Sequence, residues 1–526
     1  MTSLVPSADF VPATINVAAV APLLIVTVAA LLGVLVEAFV PRDKRYVVQL
    51  TIAVLGLLGA LAAVLTGART NQTTTVAGAI VIDGPALLVQ GSLCVLALIG
   101  LLAMSERLGS DHMDAFTRDG ASAPGSHAEG LAQRLGATTT EIYPLTMFSV
   151  LGMLIFPAAG DLLTLFVALE VLSLPLYVLT GLARRRRLLS QEASLKYFLL
   201  GAFSSAFYLF GAALLYGYAG SVRLHDIATA IGTVNGLDGL LLPGVFFVLI
   251  GLLFKIGAVP FHAWTPDVYQ GAPTAVSGFM AACTKLAAMA ALLRVLYVGV
   301  AGDRWSFQVA LWIVAVLTMV VGSIVTIAQS DIKRMLAYSS IAHAGFILVA
   351  VLSFDRAGVA SALFYAIAYG FSVIAAFTIV ALLRDADGSE ATAISQWAGL
   401  GRRAPVVAAL FTLLMLAFAG IPLTSGFTSK FGVFNAAIAH GGTMGIWLAV
   451  IGVLCSAITA WAYFRVILVM YFAEPAPQDA AGAARVVLPS AASTIAIATG
   501  VAMTVILGVV PARLLELATQ NSQFLP

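Results

Sequence analysis

The sequence contains little charge, and this scarcity excludes a water-soluble protein. Only 10% of its 526 residues are Asp, Glu, Lys or Arg, whereas 61% are hydrophobic and the mean hydropathy is +1.01. A chain of this size could not hide so much apolar surface from water, so most of it must be solvated by lipid. Because about 20 apolar residues of helix cross the hydrocarbon core, the chain has room for more than ten spans.

Cysteine is scarce as well. Cys94, Cys283 and Cys455 are far apart in apolar segments, without the paired spacing that holds zinc or an iron–sulfur cluster. We therefore expect no metal and no cofactor in this chain.

Residues 1–15 contain no Lys or Arg, so the basic start of a signal peptide is missing and the first helix should be retained. The basic residues form short clusters without interleaved aromatics, which argues against nucleic acid as a partner.

Apolar runs, divided at charged, proline and glycine clusters, predict an all-α integral membrane protein with about fourteen transmembrane helices. The predicted spans are 16–40, 46–67, 80–104, 142–158, 161–182, 191–219, 239–265, 273–299, 306–328, 331–353, 358–383, 405–440, 444–472 and 486–511. Residues 105–140 form the one long polar loop, to which we assign no chemistry.

Basic residues in the loops and at the span ends beside them predict the orientation, because cytoplasmic loops carry an excess of Lys and Arg. With the N-terminus outside, sixteen lie on the cytoplasmic side: Arg42, Lys44, Arg45, Arg107, Arg118, Arg134, Arg184, Arg185, Arg186, Arg187, Lys333, Arg334, Arg384, Arg402, Arg403 and Arg485. Five lie on the other side: Arg69, Arg223, Arg304, Arg356 and Arg513. Both termini are thus predicted to be periplasmic. The run of four arginines at 184–187 is interpreted as a topology anchor, with anionic-lipid binding as a second interpretation.

The six remaining basic residues fall inside predicted spans, where a charge is expensive and usually functional. Burial disfavours the charged form of an amine, so a buried lysine can exchange its proton near neutral pH. Lys255, Lys285 and Lys430 are the most deeply embedded and are the first candidates for proton carriers. Lys196, near a helix start, is ambiguous. Arg294 and Arg465, late in their helices, are interpreted as anchors or structural pairs.

One acid and two histidines complete the set of candidates. Glu170 is the carboxylate deepest inside a central span, and we expect a buried lysine on a neighbouring helix as its counter-charge. His343 lies in the middle of a span, and His262 follows Pro260. Histidine titrates near neutrality, so either could relay a proton. A hydrogen-bonded structural role is the alternative, favoured for His262 and less so for His343.

Two spans contain proline next to glycine, at Gly257-Ala258-Val259-Pro260 and at Gly420-Ile421-Pro422. Proline removes a helical hydrogen bond and clashes with the preceding turn, so we expect both helices to be broken. A lysine lies close to each break. Paired broken helices predict two inverted five-helix repeats with the ion site near the membrane midplane. The predicted divisions are 1–104, 105–140, 141–299, 300–475 and 476–526.

Two long motifs resemble those of a known family. The segment 255–274, KIGAVPFHAWTPDVYQGAPT, and the segment 331–343, DIKRMLAYSSIAH, are similar to signatures of the antiporter-like subunits of complex I, the respiratory NADH:quinone oxidoreductase. The segment 267–274, DVYQGAPT, resembles the N-type subunits. Lys430, where M-type subunits are expected to carry glutamate, agrees with this, as does the lack of a long lateral helix. The resemblance covers about residues 140–475.

The resemblance implies a function. Glu170 and Lys255 would form a coupled pair, Lys285 and His343 a central relay, and Lys430 the terminal carrier, with Lys196 accessory and His262 a further candidate. Protons would move from the cytoplasm to the periplasm of a bacterial inner membrane. NADH, FMN, iron–sulfur clusters and quinone would bind to partner subunits. The M-type, K-type and J-type membrane subunits, and lipids, would be its neighbours.

Two alternatives stay open at this point. One is a subunit of a multi-subunit cation/proton antiporter, a class that shares the fold and the buried lysines, although the 267–274 segment argues against it. The other is a scaffold subunit that does not conduct protons, which has no reason to retain expensive buried charges.

Overall fold

A computed structural model describes residues 15–67, 72–107, 114–117, 120, 123, 126–134, 139–234, 236–385, 388–474 and 484–525. Within these ranges, twelve helices are long and apolar enough to cross a membrane. Two shorter apolar segments, Ile142–Ala158 and Pro405–Ala419, lie at the positions of the other two predicted spans. The prediction of about fourteen spans is therefore confirmed. Arg69, Arg118 and residues 1–14 lie outside the described residues.

The described part of the chain is mainly α-helical. The helices are α1 (Val17–Phe39), α2 (Arg42–Gly67), α3 (Gly84–Met104), α4 (His127–Arg134), α5 (Ile142–Ile155), α6 (Leu162–Thr180), α7 (Arg187–Ala219), α8 (Leu224–Ile231), α9 (Asp238–Ile256), α10 (Trp264–Gly271), α11 (Thr274–Phe279), α12 (Lys285–Arg294), α13 (Arg304–Ala328), α14 (Ile332–Val351), α15 (Arg356–Leu382), α16 (Leu400–Arg403), α17 (Pro405–Ala419), α18 (Ser425–His440), α19 (Gly442–Phe472), α20 (Ala491–Val509) and α21 (Ala512–Gln520). Two π-helical segments, Met280–Thr284 and Val295–Gly299, join α11 and α12 into one span, Thr274–Gly299.

Within the described ranges, four short strands form two antiparallel pairs outside the long helices. Strand β1 (Thr73–Thr75) pairs with β2 (Ile80–Ile82) just before α3. Strand β3 (Leu383–Arg384), directly after α15, pairs with β4 (Arg485–Val486), which lies shortly before α20. The second pair ties the end of a central span to the connection that leads to the last one.

Aspartates at the starts of several spans have a local structural explanation. The side chains of Asp83, Asp161, Asp331 and Asp355 accept hydrogen bonds from backbone amides in the first turns of α3, α6, α14 and α15. The first amides of a helix have no partner within the helix, so an acid at this position stabilises it. These acids are therefore caps.

Both predicted broken spans are broken, but each helix ends earlier than the proline. Helix α9 ends at Gly257 (φ +80) and α17 ends at Gly420 (φ +86). Glycine tolerates this left-handed conformation, so it terminates the helix before proline is reached. The chain then resumes as α10 or α18, and the predicted single spans 239–265 and 405–440 are each two helices. Pro260 and Pro422 lie in the connections.

The centre of the molecule consists of spans that are buried on every side. The most apolar stretches of Thr274–Gly299 and of α15 are buried along their whole length, and that of α14 nearly so. In contrast, α2, α7, α13, α19 and α20 bury only one face and expose large apolar side chains such as Leu195, Phe203 and Trp461. Lipid or neighbouring subunits can cover these faces. Side chains on α12 and α14 are thus placed in the interior.

Candidate proton-relay site

Lys255 lies in the last turn of α9, immediately before the break at Gly257. It is 3% exposed. Its Nζ donates hydrogen bonds to Ser173 Oγ (2.6 Å) and to Tyr197 Oη (3.1 Å). The early end of α9 brings this side chain against α6 and α7, where both of its acceptors are neutral hydroxyls.

Glu170 does not form the expected ion pair with Lys255 in the described part of the chain. Its carboxylate accepts a hydrogen bond from Ser205 on α7 instead, and it is partly exposed. Ser173, which binds Lys255, is less than one turn after Glu170 on α6. Hydroxyl groups thus bind both side chains, and Glu170 and Lys255 lie near each other through Ser173 without an ion pair between them in the described residues.

Lys285 begins α12 in the fully buried central span. Its Nζ donates hydrogen bonds to both the carbonyl oxygen and the hydroxyl of Ser340 on α14. The ammonium lies 5.7 Å from the centroid of the Tyr369 ring, at a distance at which a cation interacts with an aromatic face. This contact joins α12 to α14 at the centre of the molecule.

His343 lies one turn after Ser339 and Ser340 on α14 and is 2% exposed. Its Nδ1 is 2.7 Å from Tyr365 Oη, and its Nε2 is 3.5 Å from Tyr463 Oη. Tyr463 in turn shares a hydrogen bond with Ser339. A connected group of hydroxyls and imidazole therefore extends from the Lys285 contact towards α19.

Lys430 lies on α18 after the second break and is 6% exposed. Its Nζ donates to the carbonyl oxygens of Phe418 (2.9 Å) and Ala419 (3.0 Å) and to Ser456 Oγ (2.6 Å). The two carbonyls are available because α17 ends at Gly420, which leaves its last carbonyls without helical partners. The break thus supplies the acceptors that hold the lysine.

Aromatic side chains lie between the contacts of Lys255 and those of Lys285. Tyr197 stacks on Trp264, with ring centroids 4.7 Å apart and planes inclined by 8°. Trp264 in turn meets Tyr269 edge to face at 6.3 Å, and Tyr269 interacts with Ser340.

Two of the predicted candidates differ from the others. Lys196 is not buried: its side chain is 44% exposed and forms ion pairs with Glu192 (2.7 Å) and Asp267 (2.8 Å). His262 is half-buried, and its Nδ1 has no hydrogen-bond partner in the described part of the chain. The structure therefore brings neither side chain into contact with the central lysines.

The arginines inside spans are structural, as the sequence indicated. Arg294 forms a fully buried ion pair with Asp83 (2.7 Å) and donates to the Pro157 carbonyl oxygen. Arg465 donates to the carbonyl oxygens of Ile327 and Gln329. These contacts tie helix ends together.

Sequence reasoning missed the hydroxyl side chains that bind Glu170, the lysines and the histidine. They are Ser173, Tyr197, Ser205, Ser340, Tyr365, Ser456 and Tyr463. The spacing of Ser339 and Ser340 before His343 places all three close together on α14, and this was a usable signal. The partners on other helices carry no such signal because only tertiary packing brings them near.

Comparison with known proteins gives consistent results over the whole chain. A family model described as NADH:quinone oxidoreductase/Mrp antiporter matches residues 159–459. NADH-quinone oxidoreductase subunit N of Beutenbergia cavernae is 55% identical over 534 residues, covering 98% of this chain and 99% of the relative. Subunit N 3 of Streptomyces griseus subsp. griseus is 53% identical over 545 residues, covering 100% and 97%.

A solved structure of respiratory complex I from Thermus thermophilus with bound aureothin contains a chain with the same fold. The TM-score is 0.74 and the sequence identity 31%, over 95% of this chain and 99% of that chain.

Proposed function

The chain belongs to the NADH-quinone oxidoreductase subunit N family, and from that premise we propose that its buried lysines form one proton path. It is a multi-pass, proton-translocating membrane subunit of respiratory complex I. The proposed path runs through Lys255, Lys285, His343 and Lys430, with Glu170 acting on Lys255 through the serines of α6 and α7. Protons would be taken up from the cytoplasm at Lys255 and released to the periplasm from Lys430.

One observation carries this proposal. Lys255, Lys285 and Lys430 are buried, and within the described residues their ammonium groups bind only neutral hydroxyls and carbonyls. A buried cation without a carboxylate is expensive. Neutral acceptors favour the charged form less than an anion would, so these lysines can lose and regain a proton. Three lysines in one chain with this environment are suited to transfer rather than to structure.

The surroundings of the path are part of the same proposal. Residues 141–299 and 300–475 would be the two inverted repeats, each contributing one broken helix and one lysine beside it. Lys196, paired with Asp267, would hold α7 against α10 as an accessory group. NADH, FMN, iron–sulfur clusters and quinone would bind to partner subunits, and the exposed apolar helices would face lipid and the M-type, K-type and J-type membrane subunits.

Lys430→Arg tests the path at its proposed exit. Arginine keeps the positive charge, but its pKa above about 12 prevents release of the proton near neutrality. We expect the complex to assemble and its proton-to-electron ratio to fall. The measurement is quinone-dependent NADH oxidation with proton uptake in membrane vesicles, with complex content checked on native gels.

The matched control is Lys44→Arg, at an exposed position near the start of α2. It makes the same substitution outside the path and should pump like the wild type. If assembled Lys430→Arg also pumps like the wild type, Lys430 is a structural cation and the proposed exit is wrong.

A further inference from the structure

A basic pocket of about 300 Å³ opens between the α6–α7 connection, the end of α15 and strand β4. Five arginines line it: a group of four, Arg184, Arg185, Arg384 and Arg485, and Arg186, which donates hydrogen bonds to Thr392 and to the carbonyl oxygen of Glu390. Lys333 and three acids also border the pocket. The lining therefore has more positive than negative charges. The proton path does not use these arginines.

Each acid at the pocket is hydrogen-bonded by groups other than the four arginines. Glu390 accepts from Lys333 (3.1 Å) and from the amide of Thr274 (3.4 Å). Asp385 accepts from the amide of Ser389, and Asp114 accepts from the amides of Phe116 and Thr139. Within the described residues, the ion pair of Glu390 is with Lys333 and not with any of the four arginines.

The arginines are held close to one another by the backbone. In the β3–β4 register Arg384 lies directly opposite Arg485, an arrangement of like charges that destabilises a strand pair. Arg185 reaches the same place from the α6–α7 connection. One of its terminal nitrogens lies 3.3 Å from where a Cβ of Gly388 would be, and Gly388 has φ +73.

Arg384 provides a second, independent observation at this pocket. It is 8% exposed, and within the part of the chain that the structure describes its Nε has no hydrogen-bond partner. Burial lowers the pKa of Arg384 and of Arg184, and the nearby charge of Arg185 lowers both further. The negative charge of Glu390 partly offsets this shift in the pKa of Arg384, and that of Asp114 partly offsets it in the pKa of Arg184. Buried guanidinium groups with open donors are unfavourable unless an anion compensates them.

We propose that this basic pocket binds a phosphate-bearing anion, either the headgroup of an anionic phospholipid or free phosphate, through Arg184, Arg185, Arg384 and Arg485. Guanidinium groups match phosphate oxygens with paired hydrogen bonds. The pocket lies where α6, α7 and α15 leave the predicted membrane region, at the level of lipid headgroups. Arginine clusters at that level attract anionic lipids, so the lipid is the favoured source.

A phosphate bound in the basic pocket would also contact a segment close to the proposed proton path. One wall of the pocket is formed by the end of α10, with Gln270 and Gly271, and by the connection to α11, with Ala272 and Pro273. The carbonyl oxygen of Ala272 accepts from Lys333 at 2.7 Å. A bound phosphate would therefore adjoin the segment that follows the first broken helix.

Photolabelling of the intact complex tests the lipid source. The complex is reconstituted into phosphatidylcholine vesicles containing an anionic phospholipid with a photoreactive headgroup, and labelled peptides are mapped. We expect labelling near 183–187 or 383–390. Because each basic residue contributes about fivefold to binding of an anionic surface, Arg184→Gln and Arg185→Gln should each reduce labelling about fivefold. The free-phosphate source is tested by binding of radioactive inorganic phosphate to the detergent-solubilised complex.

Arg402→Gln is the matched control, because Arg402 is exposed on the same predicted side but does not line the pocket. It should leave labelling unchanged, and native gels establish that each variant assembles. Phosphate binding that is lost in Arg185→Gln, without pocket labelling by the lipid, supports the free-phosphate source. The proposal is overturned if neither probe distinguishes the wild type from Arg184→Gln and Arg185→Gln, or if Arg402→Gln lowers labelling equally.

Discussion

At the scale of single residues, the chemistry of the acceptor separates two kinds of buried cation in this chain. Arg294 has the carboxylate of Asp83, and Lys333 has that of Glu390. Lys255, Lys285 and Lys430 have only hydroxyls and carbonyls within the described residues. A carboxylate favours the charged form of its partner. The first two therefore have a fixed counter-charge beside them, whereas the other three, which the proposed path uses, do not.

Glu390, which lies outside the membrane-spanning helices, should make the stability of the fold depend on pH. Burial by itself would raise the pKa of Glu390, but the charges of Lys333 and Arg384 outweigh it and lower the pKa to about 2. A lowered folded-state pKa means that the ionised carboxylate stabilises the fold above its unfolded pKa of about 4.3. That stability should be lost as the pH falls from about 4.3 to about 2.

Glu390→Gln tests this expectation. The variant should be less stable than the wild type at neutral pH, because Lys333 loses its buried counter-charge. It should also lose less stability between pH about 4.3 and about 2. The measurement is thermal unfolding of the full-length chain in detergent across that range. Glu516→Gln, at an exposed position on α21, is the control. Equal acid sensitivity in Glu390→Gln and the wild type would contradict the assignment.

At the scale of elements, the breaks place the two lysines next to them. In the second break, Gly420 has φ +86, and a Cβ there would lie 3.0 Å from Lys430 Cδ and 3.3 Å from its Nζ. Gly420→Ala should therefore strain the backbone by roughly 1–2 kcal/mol and displace Lys430. We expect less assembled complex and a lower proton-to-electron ratio in the complex that remains.

Gly239→Ala is the matched control for Gly420→Ala. Gly239 lies in the first turn of α9, and a Cβ there would meet nothing within 4 Å. Alanine at a helical position is neutral or stabilising relative to glycine. Native-gel quantification and proton uptake are compared between the two variants. If Gly420→Ala assembles and pumps like Gly239→Ala, the conformation of the break does not control the lysine.

At the scale of the whole molecule, the even number of spans and the uneven distribution of basic residues predict one orientation. A reporter fused near Arg402 should be cytoplasmic, and a reporter fused after Arg513 should be periplasmic. Alkaline phosphatase and green fluorescent protein fusions, which are active on opposite sides, measure this directly. A cytoplasmic C-terminus would contradict both the orientation and the count of spans. The meeting of Arg184, Arg384 and Arg485 at one pocket agrees with their assignment to one side.

The sequence by itself determined the membrane class, the number of spans and the positions of the two breaks. These properties depend on local composition: an apolar run of sufficient length must be helical in lipid, and Gly–Pro segments interrupt it. It also identified Lys255, Lys285, His343 and Lys430, because any charged or titratable side chain in an apolar span is conspicuous. Their chemical roles stay a prediction.

Tertiary structure decided which groups these side chains contact. Glu170 and Lys255 were expected to pair directly, yet Ser205 and Ser173 bind them. Lys333 was counted among the basic residues of the cytoplasmic loops, yet its side chain is buried and forms an ion pair with Glu390. Lys196 was a candidate inside a helix, yet it is largely exposed. The partner of a side chain depends on which helix faces it and on how far that helix is shifted along its axis. Residues far apart in the chain fix that arrangement through packing, and local sequence does not encode it.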